Sequence, residues 1–164
     1  MNLPNDIIKV VFIGIGATAV MDIWLIFLKR LGVPSLNFAF IGRLVGHALR
    51  GRFSHDAIAK AAPIPGELAL GWTTHYAIGI AFATLLVALA GLDWTTNPTL
   101  LPAVMVGAGT VAAPLLIMQP AMGAGFFASK TPTPLKNSLR SLANHSVFGL
   151  GMFLAAVLVD GIVR

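Results

Sequence analysis

The sequence has no cysteine and few charged residues. Without cysteine the chain cannot form disulfides, thiolate metal sites or a cysteine nucleophile. Charged residues make up only 10% of the 164 residues, against roughly a quarter in soluble domains. Hydrophobic residues make up 57%, which is more apolar surface than a soluble fold of this size can hide. We therefore predict a single transmembrane domain that covers residues 1–164.

Four apolar segments reach the roughly 20 residues that are needed to cross the hydrocarbon core of a bilayer. Their approximate bounds predict spans over residues 7–28, 68–91, 100–127 and 138–159, with a long connection over residues 29–67. This pattern predicts an all-α membrane protein, built as a four-transmembrane-helix bundle.

The basic residues predict an orientation. Nine of the eleven Lys and Arg residues lie in the first and third connections, and none lies between the second and third spans. Basic connections stay in the cytoplasm, so both termini are expected on the periplasmic side of a bacterial inner membrane. The expected partners are the lipid bilayer and its anionic headgroups. The net charge of +5 does not indicate nucleic acid, because no basic patch with interleaved aromatic residues is present.

The first connection contains a polar stripe in an apolar stretch from Leu36 to Leu49. Arg43, His47 and Arg50 are spaced i, i+4 and i+7, which places them on one face of a helix. We interpret the stretch as an amphipathic interfacial helix whose cytoplasmic basic stripe meets anionic headgroups. An alternative is a basic entrance above the bundle that gathers an anionic ligand.

The spans show a possible internal repeat. The second and fourth spans share a His-x-x-x-Gly motif at an offset of seventy residues, and the first and third spans match more loosely. The matching positions are His75 and Gly79 with His145 and Gly149, Gly14 and Gly16 with Gly107 and Gly109, and Met21-Asp22 with Met118-Gln119. The glycine match and the Met21/Met118 match hold together only if the third span has four additional residues between Gly109 and Met118. A 2+2 parallel repeat is predicted, with chance similarity of small residues as the alternative.

One strongly polar side chain falls in each span at a similar depth. Counted from the cytoplasmic end, Asp22, His75, Gln119 and His145 lie about six to eight residues in, or roughly 9–12 Å. A charged aspartate near a helix centre costs about 2.5–3.5 kcal/mol, so Asp22 is expected to be protonated or paired with an imidazole. We interpret the four as an intramembrane polar layer that binds a ligand. The alternative is that they only join helices by hydrogen bonds.

The third span contains helix-breaking residues next to Gln119. Pro114 and Pro120 remove backbone donors and thereby free carbonyl groups, and Gly123 and Gly125 follow. Broken helices of this kind line ion and substrate sites in transporters. An ordinary kinked helix that packs closely through its glycines is the alternative.

Several short motifs resemble a known family. They are Gly42-Arg43, Gly46-His47, Arg50-Gly-Arg-Phe53, Gly71-Trp72 with His75-Tyr76, Met118-Gln-Pro-Ala-Met-Gly-Ala-Gly125, Thr131-Pro132, and His145 with Phe148-Gly149. Together they resemble the bacterial integral-membrane family catalogued as domain of unknown function 2938. The resemblance covers nearly the whole chain and implies a small inner-membrane protein. It implies no catalytic residues, because no activity is established for the family.

Three functions remain open on sequence grounds. The first is a transport or channel-type component for protons, an ion or a small solute. A four-helix bundle is narrow, so this function is expected to need a homo-oligomer, packed through Gly14, Gly16, Gly107 and Gly109. The second is a bundle that binds haem b or a metal through His75 and His145. The third is a non-catalytic assembly or regulatory partner. An enzyme is not expected, because hydrolase, zinc and phosphate-loop motifs are missing.

Overall fold

The computed structural model describes residues 3–35 and 37–163, and the side chains of residues 5–35 and 37–161. Regular structure in this part of the chain is entirely helical. The α-helices are α1 (Leu3–Arg30), α2 (Phe38–Ala48), α3 (Glu67–Ala90), α4 (Leu100–Gly109), α5 (Gln119–Ala121) and α6 (Pro134–Val163). A π-helical turn covers Pro114–Met118, and 3-10 turns cover Ile58–Lys60, Leu92–Thr95 and Phe126–Ala128.

Four of the helical segments are long and apolar enough to cross a membrane, as predicted. They are Asn5–Arg30, Glu67–Ala90, Leu100–Ala121 and Pro134–Gly161. The third ends at Ala121 rather than at the predicted Phe127. The reason is local, because Gly123 and Gly125 have φ angles of +92° and +76°, which a continuing right-handed helix does not contain.

The third span is interrupted inside the predicted region of helix breaks. Helix α4 ends at Gly109, and the chain turns at Thr110 before the π-helical turn that begins at Pro114. Proline has no N–H to donate and its ring crowds the preceding turn, which disfavours a regular α-helix there. The interruption lies between Gly109 and Met118, which is where the proposed repeat requires four additional residues.

Helix α2 begins one residue after a side-chain cap. The Asn37 side chain accepts a hydrogen bond from the backbone N–H of Ala39 at 3.0 Å, which satisfies one of the unpaired donors of the first turn. This short apolar helix confirms that the first connection contains a helix. Leu36, the first residue of the predicted stretch, lies outside the described residues.

The chain divides into two compact units. The first contains the described residues up to Val33, Tyr76–Thr110, and the chain from Ala143 onward. The second contains Pro34–His75 and Val111–Leu142. The prediction of one transmembrane domain stays a prediction.

The first unit is packed through apolar residues and close glycine contacts. Its core includes the fully buried Ile13, Leu86 and Met152. A methyl group added at Gly14 would lie 2.5 Å from the Ile80 Cα, and one added at Gly107 would lie 2.6 Å from the Gly149 nitrogen. Backbones of neighbouring helices therefore touch at these positions, as they do at small-residue interfaces in membranes.

These contacts correct one sequence prediction. Gly14, Gly16 and Gly107 were expected to offer surfaces for a second copy of the chain. Instead Gly14 and Gly107 pack against other helices of the same chain, and a methyl group at Gly16 would lie 2.8 Å from the Ala155 Cβ. Only Gly109, among these four, has open space around it.

The second unit brings α2 against the start of α3. A side chain at Gly42 would overlap the Glu67 carbonyl oxygen, and one at Gly71 would overlap that of Phe38. The two helices therefore approach at backbone distance. A small apolar cluster of Ile41, Ile58 and Met122 completes this packing.

Candidate functional site

A carboxyl–phenol hydrogen bond joins the first two candidate spans. The hydroxyl of Tyr76, on α3, donates to Oδ2 of Asp22, on α1, at 2.9 Å. Both side chains are partly buried. The sequence analysis proposed a histidine partner for Asp22 and missed Tyr76. Tyr76 is the single tyrosine of the chain and follows His75 directly, so its position was a usable signal.

His145 is held by a threonine from the third span. The Thr110 hydroxyl donates its one proton to the Gly107 carbonyl at 2.5 Å, so its oxygen accepts from His145 Nδ1 at 2.8 Å. In the neutral ring the proton is therefore on Nδ1, and Nε2 has the lone pair. Phe82 presents its ring to the imidazole at a centroid distance of 6.2 Å. Thr110 was not among the predicted site residues.

The other two members of the predicted polar layer lie in the second unit. Gln119 Nε2 donates to the Ser141 hydroxyl at 3.4 Å, and its buried Oε1 has no hydrogen-bond partner within the described residues. The His75 ring packs 4.7 Å from the Phe38 ring and 5.9 Å from the Trp72 ring, measured between centroids. The common layer of four residues stays a prediction, as does haem ligation by His75 and His145.

A further polar contact joins the first and fourth candidate spans. Trp24 Nε1 donates to Oδ1 of Asn144 at 3.0 Å. Asn144 directly precedes His145. Neither residue was among the predicted members of the polar layer, although Asn144 is an amide in the predicted fourth span, as Gln119 is in the third. In hydrocarbon, such a bond contributes about 0.6–2 kcal/mol to helix association.

Arg43 lies at the centre of a buried polar network in the second unit. Its Nε and Nη2 donate to the two carboxylate oxygens of Glu67 at 2.9 and 2.7 Å. Its Nη1 lies 3.2 and 3.0 Å from the carbonyl oxygens of Ile58 and Ala61. The hydrogen bond to Glu67 raises the pKa of Arg43 further above its ordinary value, so the guanidinium stays charged.

His47 and His55 form a buried imidazole pair beside this network. His47 Nδ1 and His55 Nε2 are 2.7 Å apart, and His47 Nε2 lies 3.0 Å from the Ala62 carbonyl oxygen. Burial lowers the pKa of His55, with smaller contributions from nearby charges. His55 was not selected as a partner of His47 on sequence grounds.

The predicted orientation of the basic stripe is wrong for two of its three members. Arg43 and His47 are only 7% and 8% exposed, so they cannot meet headgroups or gather an anionic ligand, whereas Arg50 is exposed. The physical reason is that Glu67 and several backbone carbonyls supply the partners that burial requires. On a helix that is apolar on all other sides, the polar stripe faces the protein.

No group of three or more His, Cys, Asp or Glu side chains is placed to hold a metal ion within the part of the chain that the structure describes. Four helical segments long and apolar enough to cross a membrane, with polar contacts between some of them, indicate a multi-pass helical membrane protein.

Comparison with family models identifies the family. The model described as "Protein of unknown function (DUF2938)" matches residues 11–159. The chain therefore belongs to this family, in agreement with the resemblance seen in its motifs. No curated protein matches the chain, and no solved structure matches it.

Proposed function

We propose that the protein is a small transport or channel-type component of a bacterial inner membrane and not an enzyme. Its cargo would be a proton, an ion or a small solute. The observation that supports this most is the 2.9 Å bond between Asp22 and Tyr76, on two candidate spans. Ionisable residues inside hydrocarbon are costly, and where they occur they mark transport paths.

The chemistry of the pair suits proton exchange. When Asp22 is ionised, the Tyr76 hydroxyl donates to it, and when Asp22 is protonated, the same hydroxyl can rotate and accept. The carboxyl group therefore keeps a hydrogen bond in both states. The imidazole of His145, oriented by Thr110, adds a second titratable side chain to the same unit.

In this proposal the four spans form two parallel repeats of two helices each. Two packing contacts support this: Gly14 lies against Gly79-Ile80, and Gly107 lies against Gly149. These are the positions that the repeat makes equivalent. The interruption of the third span supplies the additional residues between its two matching motifs. Under the repeat, Asp22 and Gln119 are equivalent, so only one half has an ionisable group there.

The proposal includes an orientation and an assembly. With the basic connections in the cytoplasm, both termini and the connection between α3 and α4 lie on the periplasmic side. A homo-oligomer would provide the width that a single bundle of four helices lacks. Nothing lies within 4 Å of a Cβ added at Gly109, so this position is accessible to a second copy of the chain.

Flux measurements on purified protein in liposomes test the function. We expect the wild type to dissipate an imposed proton, Na⁺ or K⁺ gradient, and Asp22→Asn to reduce that flux on the order of tenfold or more. Tyr76→Phe should reduce it less, because the carboxyl group remains. Asp93→Asn removes an equal charge from an exposed loop and should leave the flux unchanged.

Two results would contradict the proposal. One is wild-type flux no greater than that of empty liposomes for each of the three cations, which would contradict transport of a proton or of these cations. The other is full flux in Asp22→Asn. Either would favour the non-catalytic assembly partner, in which the polar pairs serve only to join helices.

A further inference from the structure

His47 and His55 lie buried against each other outside the four candidate spans. They are 8% and 6% exposed, and 2.7 Å separates His47 Nδ1 from His55 Nε2. This is a hydrogen-bond distance. It is too short for one metal ion to hold both nitrogens, since two ligands of a tetrahedral zinc lie about 3.3 Å apart. The facing nitrogens therefore share one proton, and we call the two rings the histidine dyad.

The surroundings of the dyad determine where its protons lie. His47 Nε2 is 3.0 Å from the Ala62 carbonyl oxygen, which can only accept, so this nitrogen has a proton. In a neutral His47 ring Nδ1 is then the acceptor, and the shared proton belongs to His55 Nε2. His55 Nδ1 is left without a proton. It is buried and has no hydrogen-bond partner within the described residues, which is an unfavourable state for an acceptor.

We propose that the histidine dyad is a binding site for one additional proton, taken up at His55 Nδ1, and that it opens when it receives a second. The first proton makes His55 an imidazolium, which strengthens its hydrogen bond to His47 Nδ1. A second would put a proton on each of two nitrogens only 2.7 Å apart. Two facing donors repel, so the rings must separate.

The charged groups around the dyad determine the pH at which it responds. Burial is the largest cause that lowers the pKa of His55; Arg52 and His47 lower it as well, whereas Asp56 and the Ala121 carbonyl raise it. Glu67, at the start of α3, is close enough to interact with a charge on His47, and Arg43 neutralises Glu67. The lowered pKa of His55 means that its ring takes its additional proton below the ordinary histidine range.

Opening of the dyad has a defined structural consequence. The backbone N–H groups of His55 and Ile58 donate to the carbonyl oxygens of Ala121 and Met122 at 2.9 and 3.0 Å. The segment with His55 is thereby tied to the end of the third span. Because the folded state holds the proton less readily than the unfolded chain, this connection is most stable near neutral pH and weakens as the pH falls through the histidine range.

Nuclear magnetic resonance of the full chain tests the site. The chain has four histidines, so ¹⁵N-histidine labelling in detergent micelles gives few signals, which can be followed from about pH 8 to about pH 4.5. We expect the rings of His47 and His55 to change together in a one-proton step below the pH at which a free histidine titrates. At lower pH, the amide protons of His55 and Ile58 should lose protection, measured as the ratio of the intrinsic to the observed exchange rate at each pH.

Two surface variants keep the test independent of any loss of folding. Arg52→Gln should move the step to higher pH, and Asp56→Asn should move it to lower pH, since both residues are exposed and act only through charge. Arg30→Gln, with the same change of charge outside the second unit, should not move it. Independent titration of the two rings, no titration in this range, or no shift in Arg52→Gln would each overturn the proposal.

Discussion

Nη2 of Arg43 lies 2.7 Å from Oε1 of Glu67, across 24 residues of sequence, and Nε of the same guanidinium bonds the other carboxylate oxygen at 2.9 Å. This bidentate pair joins α2 to the start of α3. The remaining nitrogen of Arg43 satisfies carbonyl groups of the loop between them. One side chain therefore joins α2, the loop around residues 58–61 and the start of α3.

Replacing Arg43 with lysine should destabilise the protein. The single ammonium of lysine cannot bond both oxygens of Glu67 and the loop carbonyls together, so Arg43→Lys should lower the melting temperature in detergent by on the order of 10 °C. Arg50→Lys is the matched control, because Arg50 is exposed, and it should have little effect. Equal melting temperatures for the two variants would mean that the network contributes little to stability.

Gly42 should not tolerate even one methyl group. Gly42→Ala forces a side-chain carbon into the Glu67 carbonyl oxygen, which is backbone and cannot move aside, and should cost about 1–3 kcal/mol in the free energy of unfolding. Denaturant titration in mixed micelles measures the change. Gly109→Ala, where nothing lies within 4 Å, should be neutral or stabilising, and a cost as large as that of Gly42→Ala would contradict this packing.

Thr110 should control which nitrogen of His145 has the proton. In the wild type, ¹⁵N shifts should show a proton on Nδ1 and a bare Nε2. Thr110→Val should remove this preference, whereas Thr110→Ser should retain it, because serine keeps the hydroxyl. Thr84→Val removes a hydroxyl bonded only within its own helix and serves as the control. A wild-type ring protonated on Nε2 would disprove the assignment.

The orientation can be tested by labelling intact cells. The chain has no cysteine, so introduced thiols give no background. Thr96→Cys should react with an impermeant reagent, because it lies between the second and third spans. Ser54→Cys and Thr133→Cys should be protected until the membrane is permeabilised. The opposite pattern of reaction would reverse the proposed orientation.

The four spans could be predicted because lipid selects for length and apolarity, and both are local properties of the sequence. The interruption of the third span was also predictable, since Pro114 cannot donate the helical hydrogen bond. Its end at Ala121 was only partly predictable: Gly123 and Gly125 were recognised as helix breakers, but the sequence does not show where the backbone takes a positive φ.

The polar partners were much harder to predict. Arg43 and His47 form a basic stripe by spacing, and spacing does not distinguish a stripe that faces water from one that faces Glu67 and His55. Asp22 was expected to be protonated or paired with an imidazole, and the hydroxyl of Tyr76, which donates to it, was not considered as a partner. Contacts of this kind depend on which helices become neighbours, and single-helix patterns do not contain that information.

The unequal lengths of α3 and α6 affect how the protein would respond to the thickness of the bilayer. Helix α6, with 30 residues, is about 45 Å long, and α3, with 24 residues, is about 36 Å long. The surplus of α6 contains Lys136 and Arg140, so it can lie among headgroups at no cost. In a thickening bilayer, hydrophobic mismatch would therefore affect α3 before it affects α6, because α3 has no such surplus. A change in bilayer thickness would then be felt at the start of α3, where Glu67 binds Arg43.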